Sequence, residues 1–167
     1  MKGRRKHRLL CLLLSVLMIV SLLPTAALAA EVETSTWEKV DLADITADDV
    51  VAITMTKGEV TYVLPAEKNT SKTPTAAIGS VSDGTLALEG AEADFGWTIT
   101  KNEGKDTYSI INQTGDSLYV INSNSGVRVG ATVAEWKLDQ GFLTAQDTQG
   151  NTRYMGVYAT NPDWRCF

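Results

Sequence analysis

After position 50, apolar residues fall in short β-branched and aromatic runs, broken every few positions by Gly, Asn or Asp, with no helical stripe among them. That pattern predicts many short strands in an all-β barrel or sandwich. Ahead of it, the segment "TWEKVDLADITADD" reads as a short lead-in strand at 37–40, a turn or single helical turn at 41–44, and an acidic loop.

One pattern recurs within the strands. "GEVTYV" at 58, "GDSLYV" at 115 and "GNTRYM" at 150 each set a Gly four positions ahead of a Tyr. A residue tolerant of positive φ at a hairpin turn would place Tyr62, Tyr119 and Tyr154 at equivalent points of three returning strands. A second element, "GWTITK" at 96 and "EWKLDQ" at 135, sets Trp97 and Trp136 two residues ahead of Ile99 and Leu138, as core wedges. The tryptophans are 39 positions apart and the last two tyrosines 35. A repeat of that length, built from strand, hairpin and Trp-strand, resembles the β-trefoil family, with units at 50–106, 107–140 and 141–167 and "LPAEKNTSKTPT" and "GAEAD" as loop insertions. The third unit has no counterpart of the Trp-strand. The expectation is therefore a trefoil-like barrel lacking its last strand, with a β-sandwich as the alternative. Such a barrel would leave an open edge able to drive self-association, with the lead-in strand covering part of the gap.

The N-terminus alters the charge balance. "MKGRRKHR", an apolar run over 9–23 and the small-residue site Ala27-Leu28-Ala29 have the layout of a secretory signal peptide over 1–29. The apolar run is shorter than the roughly 20 residues that a membrane-spanning helix requires, so cleavage and an extracellular location are expected, with an entry strand and acidic lead-in at 30–49 and the domain proper at 50–167. Five of the 15 Lys+Arg lie before position 30 and all 20 Asp+Glu follow it, which leaves the exported chain near −10. So acidic a domain, without a basic stripe, is a poor partner for nucleic acid or anionic membrane surfaces.

The same cleavage removes His7, the only histidine, and Cys11, leaving Cys166 as the sole thiol. An intrachain disulfide and histidine-based triads are thereby excluded. Carboxylate pairs such as Asp48 with Asp49, Glu92 with Asp94 and Glu103 with Asp106 fall in turn-like segments and read as solvated loop acids. "DLADITADD" lacks the ligand spacing of a helix-loop-helix calcium site. No enzyme activity and no cofactor is expected. In "DWRCF", alternation puts Trp164 and Cys166 on one face and Arg165 and Phe167 on the other, which makes Cys166 a small buried hydrophobe.

Ligand recognition has the better case. "YATNPDWR" offers Tyr158, Asn161, Asp163, Trp164 and Arg165 in and beside one loop, and "NSNSGVR" offers Asn122, Asn124 and Arg128 in the matching loop of the second unit. An aromatic platform with acids and amides is how trefoil lectins of the ricin type hold sugars, although the Gln-x-Trp signature of those lectins is absent. Together, "TWEKVDLADITADD", "AITMTKGEVTYVLP", "SGVRVG" and "RYMGVYATNPDWRCF" resemble an uncharacterised β-rich domain of secreted multidomain proteins of gut bacteria, where it sits beside nuclease, spore-coat-kinase-like or adhesion modules. In that family a further apolar strand follows the segment matching "DWRC". The resemblance implies no activity. The expected function is a secreted, non-enzymatic accessory domain binding an extracellular glycan. The alternative is a structural module, or one that docks on a cell-surface protein, as part of a larger exported protein.

Overall fold

The computed structural model describes residues 32–167; the signal peptide expected over 1–29 and its cleavage site lie outside them. Fourteen strands follow in order: β1 Thr34–Glu38, β2 Val51–Ala52, β3 Thr54–Lys57, β4 Val60–Val63, β5 Ala77–Ser82, β6 Thr85–Glu89, β7 Gly96–Lys101, β8 Tyr108–Asn112, β9 Ser117–Val120, β10 Val127–Gly130, β11 Trp136–Asp139, β12 Phe142–Gln146, β13 Thr152–Tyr158 and β14 Asp163–Cys166. They build a five-stranded sheet, β1-β6-β5-β4-β3, and a nine-stranded one, β10-β9-β8-β11-β12-β13-β14 with β7 joining β8 to β2. The strands are antiparallel and curl into a half-barrel, the all-β class expected from the pattern of short runs.

Two of the Trp-strands pair alike. In the first unit β7 returns to the opening strand through Val51 opposite Trp97, and in the second β11 returns through Tyr108 opposite Trp136. The Gly turns are equally regular, with φ of +63° at Gly58, +87° at Gly115 and +82° at Gly150. At the last two, a side chain three residues earlier builds the turn. Asn112 Oδ1 accepts from the N–H groups of Thr114 at 3.1 Å and Asp116 at 2.8 Å. Asp147 Oδ1 accepts from those of Gln149 and Asn151, both at 2.9 Å. These are Asx turns at identical offsets, a local reason for hairpins at both places. Met55 holds the corresponding position of the first unit, and there β3 and β4 pair up to Lys57 opposite Val60, closing on Gly58-Glu59 alone.

The main core holds three tryptophans, Trp97, Trp136 and Trp164, each at most 1% exposed, among Leu64, Ile110, Leu118, Val127 and Val129. A buried indole N–H requires an acceptor. Trp97 Nε1 donates to Leu64 O at 3.2 Å, Trp136 Nε1 to Leu118 O at 2.9 Å and Trp164 Nε1 to Val63 O at 3.0 Å. A smaller cluster of Val63, Leu86, Leu88 and Phe95 lies under the five-stranded sheet, with Trp37 packed on it.

Several expectations are corrected. The lead-in strand is Thr34–Glu38 rather than 37–40, and it adds to β6 instead of covering a barrel gap. What packs on the main core from this region is Leu42 and Ile45, in and after the 3-10 turn Leu42–Asp44. "GAEAD" carries a helical turn, Glu92–Phe95, and Asp94 Oδ2 accepts from the Ala91 N–H at 2.9 Å at its start. The last strand is no open edge. Beyond its pairing with β13, the Trp164 N–H donates to Pro74 O at 2.9 Å and the Cys166 N–H to Asn124 O at 3.0 Å. Thr75 and Asn124 form isolated bridges to Asp163 and Cys166. The Val157 N–H of β13 also reaches Met55 Sδ of β3 at 3.4 Å.

The buried indole bonds make a measurable demand. Trp136→Phe leaves Leu118 O without its donor and opens a small void, so the unfolding free energy in a urea titration should fall by about 2–4 kcal/mol. Val133→Ala, at a side chain 72% exposed, should change it by about 0.5 kcal/mol or less.

Candidate functional site

The strongest candidate surface is the outer face of the β13–β14 hairpin. Alternation gives each strand two faces, and burial assigns them: Met155, Val157, Trp164 and Cys166 point into the core, while Tyr154, Tyr158, Asp163 and Arg165 point out. The register sets Tyr158 opposite Asp163 and Gly156 opposite Arg165. Tyr154 and Phe167 exchange both backbone bonds, at 3.0 and 2.9 Å, so their side chains share that outer face.

Of the eight residues expected to bind ligand, four meet here. Arg165 makes a two-point pair with Asp163, Nε to Oδ1 at 2.6 Å and Nη2 to Oδ2 at 3.0 Å, and its Nη1 donates to Asn124 Oδ1 at 3.0 Å. The hydrogen bond to Asp163 holds the guanidinium still more firmly protonated. Its Cζ lies 4.1 Å from the centroid of the Tyr158 ring, a cation–π contact that fixes the ring while leaving it 39% exposed. Asn161 and Asn122 are exposed on the neighbouring loops.

Trp164 and Arg128 do not join this surface. Trp164 is 1% exposed with its indole N–H spent on Val63 O, so it has no free face for a sugar and belongs to the core. Arg128 is 7% exposed, and its Nη1 donates to Ser125 O at 2.5 Å and Val127 O at 2.7 Å. It braces the 122–126 loop from within. In that loop a Cβ on Gly126 would lie 2.0 Å from Asn122 O, so only glycine allows the turn. Cys166 is fully buried; burial pushes its thiol pKa up, and Sγ donates to Asn122 O at 2.8 Å, an inert structural thiol.

Three exposed aromatics extend the surface beyond the expected set: Tyr154, Phe142 and Phe167, between 40% and 55% exposed. Phe142 meets Tyr154 edge to face, with centroids 6.4 Å apart and planes at 76°. Tyr154 OH donates to Asp139 Oδ2 at 2.8 Å, and that bond raises the phenol pKa. Tyr154 and Tyr158 are four apart within one strand, so period-two alternation already places them on one face; Phe142 arrives only through the β12–β13 pairing.

A cleft of about 650 Å³ lies around the Asx turn at Asp147, lined by Tyr119, Glu135, Thr144, Gln146 and Asp147 among others. Asp147 is 6% exposed. Burial alone would push its carboxyl up, but the Asn151 N–H, the Arg153 guanidinium at 2.8 Å, the Asn151 amide and the Gln149 N–H hold it down at about 2. No family model, curated protein or solved structure matches the chain.

The depressed value sets the sign of a pH effect. A carboxylate titrating near 2 when folded, against an ordinary value of 3.8, contributes stability that is fully present above about pH 4 and is lost as pH falls towards 2. Asp147→Asn, which removes the charge facing Arg153, should melt lower at pH 7. Its melting temperature should then fall less between pH 4 and 2 than that of the native chain, as followed by circular dichroism.

Proposed function

We propose that the protein is an exported, non-enzymatic binding module, and that its ligand is a glycan laid against the outer face of the β13–β14 hairpin. The observation that carries this reading is the set of exposed rings on one sheet face, Tyr158, Tyr154, Phe142 and Phe167, bordered by the Asp163–Arg165–Asn124 group. The C–H face of a sugar ring stacks on an aromatic face, and its hydroxyls take donors and acceptors such as Arg165, Asn124 and Asn161 supply. The Arg165 charge is matched by Asp163, so the surface suits a neutral polyol better than an anionic one. Export rests on the basic and apolar leader over 1–29, and the resemblance to a secreted β-rich domain of gut bacteria belongs to the same reading.

Pull-down on insoluble polysaccharides together with a glycan array tests it. The native domain should be retained by at least one neutral glycan. Phe142→Ala with Tyr158→Ala should weaken retention about tenfold, since each stacked ring contributes about 0.5–1.5 kcal/mol, while the far-UV spectrum stays native. Trp164→Ala is no test of binding, because it removes a core side chain. Undiminished retention by the folded double variant would move the site elsewhere, and retention by no glycan would favour a protein-docking module.

A further inference from the structure

The edges of β10 and β14 are covered, the first by Asn69 opposite Val129 and the second by Pro74 and Asn124. β1 is different. It ends the five-stranded sheet and pairs with β6 alone, and among the described residues no other main-chain bond reaches Thr34–Glu38. The phase of that pairing fixes which groups are left over. The Gly90 N–H donates to Glu33 O at 2.7 Å, one step beyond Thr34 opposite Glu89, so Glu33, Ser35 and Trp37 direct their N–H and C=O groups at β6. Antiparallel alternation then turns those of Thr34, Thr36 and Glu38 outward. The register runs without a bulge and the strand holds no proline, two devices that commonly blunt such an edge. The strand also borders a cleft of about 960 Å³, rimmed by Glu38, Asp44, Asp48 and Glu92.

An edge of this phase accepts a partner strand, and the sequence of β1 fits its own copy. A twofold axis through an antiparallel pair sets one residue opposite itself, and Thr36 is the middle of the three outward residues. Centred there, Thr36 meets Thr36 and Thr34 meets Glu38 on either side, so every outward N–H and C=O group of both strands is bonded. The same register sets Glu33 of each copy opposite Lys39 of the other, and Ser35 opposite the half-buried Trp37. Glu33 and Lys39 are exposed and form no ion pair among the described residues. Opposite charges directly across a strand pair favour it and like charges oppose it. A register centred on Glu38 would set two carboxylates face to face, and one centred on Thr34 would spend Glu33 on Ser35 and run off the strand. We propose that the protein forms a symmetric dimer through antiparallel pairing of β1 with β1 of a second copy, the two five-stranded sheets continuing as one. Pairing uses the edge on both copies, so assembly stops at two. The dimer is independent of the glycan-binding reading.

Sedimentation velocity of the folded 30–167 chain over a concentration series tests the proposal. A monomer–dimer equilibrium with no larger species is expected. Thr36→Pro removes the central outward N–H of each copy, a group that β6 does not use, so the variant should keep its far-UV spectrum and sediment as a monomer. Glu33→Lys sets cation against cation at both ends of the pairing, and Lys39→Glu sets carboxylate against carboxylate. Each variant alone should dimerise about tenfold more weakly than the native chain. Mixed in equal amounts, the two place a carboxylate opposite every cation, and a heterodimer should form with the native affinity. That mixture decides the register whether or not Thr36→Pro folds. The proposal is overturned by a monomer at every concentration, by species larger than a dimer, by native dimerisation of the folded Thr36→Pro chain, or by a mixture that associates no better than either charge variant alone.

Discussion

Each of the three large indoles in the main core has a single N–H and is almost wholly out of water, and the fold supplies each with a main-chain carbonyl. Two of those carbonyls, on Val63 and Leu64, are adjacent, and they serve Trp164 from the last strand and Trp97 from the end of the first unit. The end of β4 is thus the point on which β7 and β14 converge. Trp136 makes the corresponding bond within its own unit, to Leu118. An indole is too large to shift without opening a cavity, and its N–H too costly to leave unpaired in the interior. The strands carrying these residues therefore have little freedom in how they approach one another.

The long segment between β4 and β5 looks in the sequence like a loop inserted into the first unit, but it works as a strap. Asn69 exchanges bonds with Val129 of β10 at 2.9 and 3.0 Å, Pro74 O accepts from Trp164, and the Ala76 N–H donates to Pro162 O at 2.8 Å. Thr73 Oγ1 adds a bond to the Trp164 carbonyl. The polar backbone of β10 and β14, which would otherwise lie at sheet edges, is satisfied by one strap and by Asn124. That covering holds the β13–β14 hairpin in a single orientation, with its tyrosines and Arg165 outward.

Two surfaces of opposite character result. On the β13–β14 face the charges are matched, Asp163 with Arg165, and the rings are exposed. In the cleft near β1 the carboxylates are spaced apart without ion-pair partners among the described residues, and threonines line it beside Trp37 and Ile45.

The sequence by itself determined the class of fold, the Gly hairpins at 58, 115 and 150, the sharing of one face by Trp164 and Cys166, and the core role of Trp97 and Trp136. Each of these is a local property: a positive φ at a turn, or alternation along one strand. It also brought Tyr158, Asp163, Arg165 and Asn124 into view as polar and aromatic groups in two loops. What it left open was which strand covers which. Period two says that Trp164 and Arg165 face opposite ways, yet the burial of Trp164 follows only from the Val63 carbonyl about a hundred positions earlier, and that of Arg128 from the 122–126 loop folding back over it. Phe142 joins the exposed aromatic face through register with β13, and β1 reaches β6 instead of the barrel seam through pairing across some fifty residues. Those pairings are long-range choices among strands of similar pattern, and only the tertiary structure, by giving each of the three buried indoles its carbonyl at once, decided them.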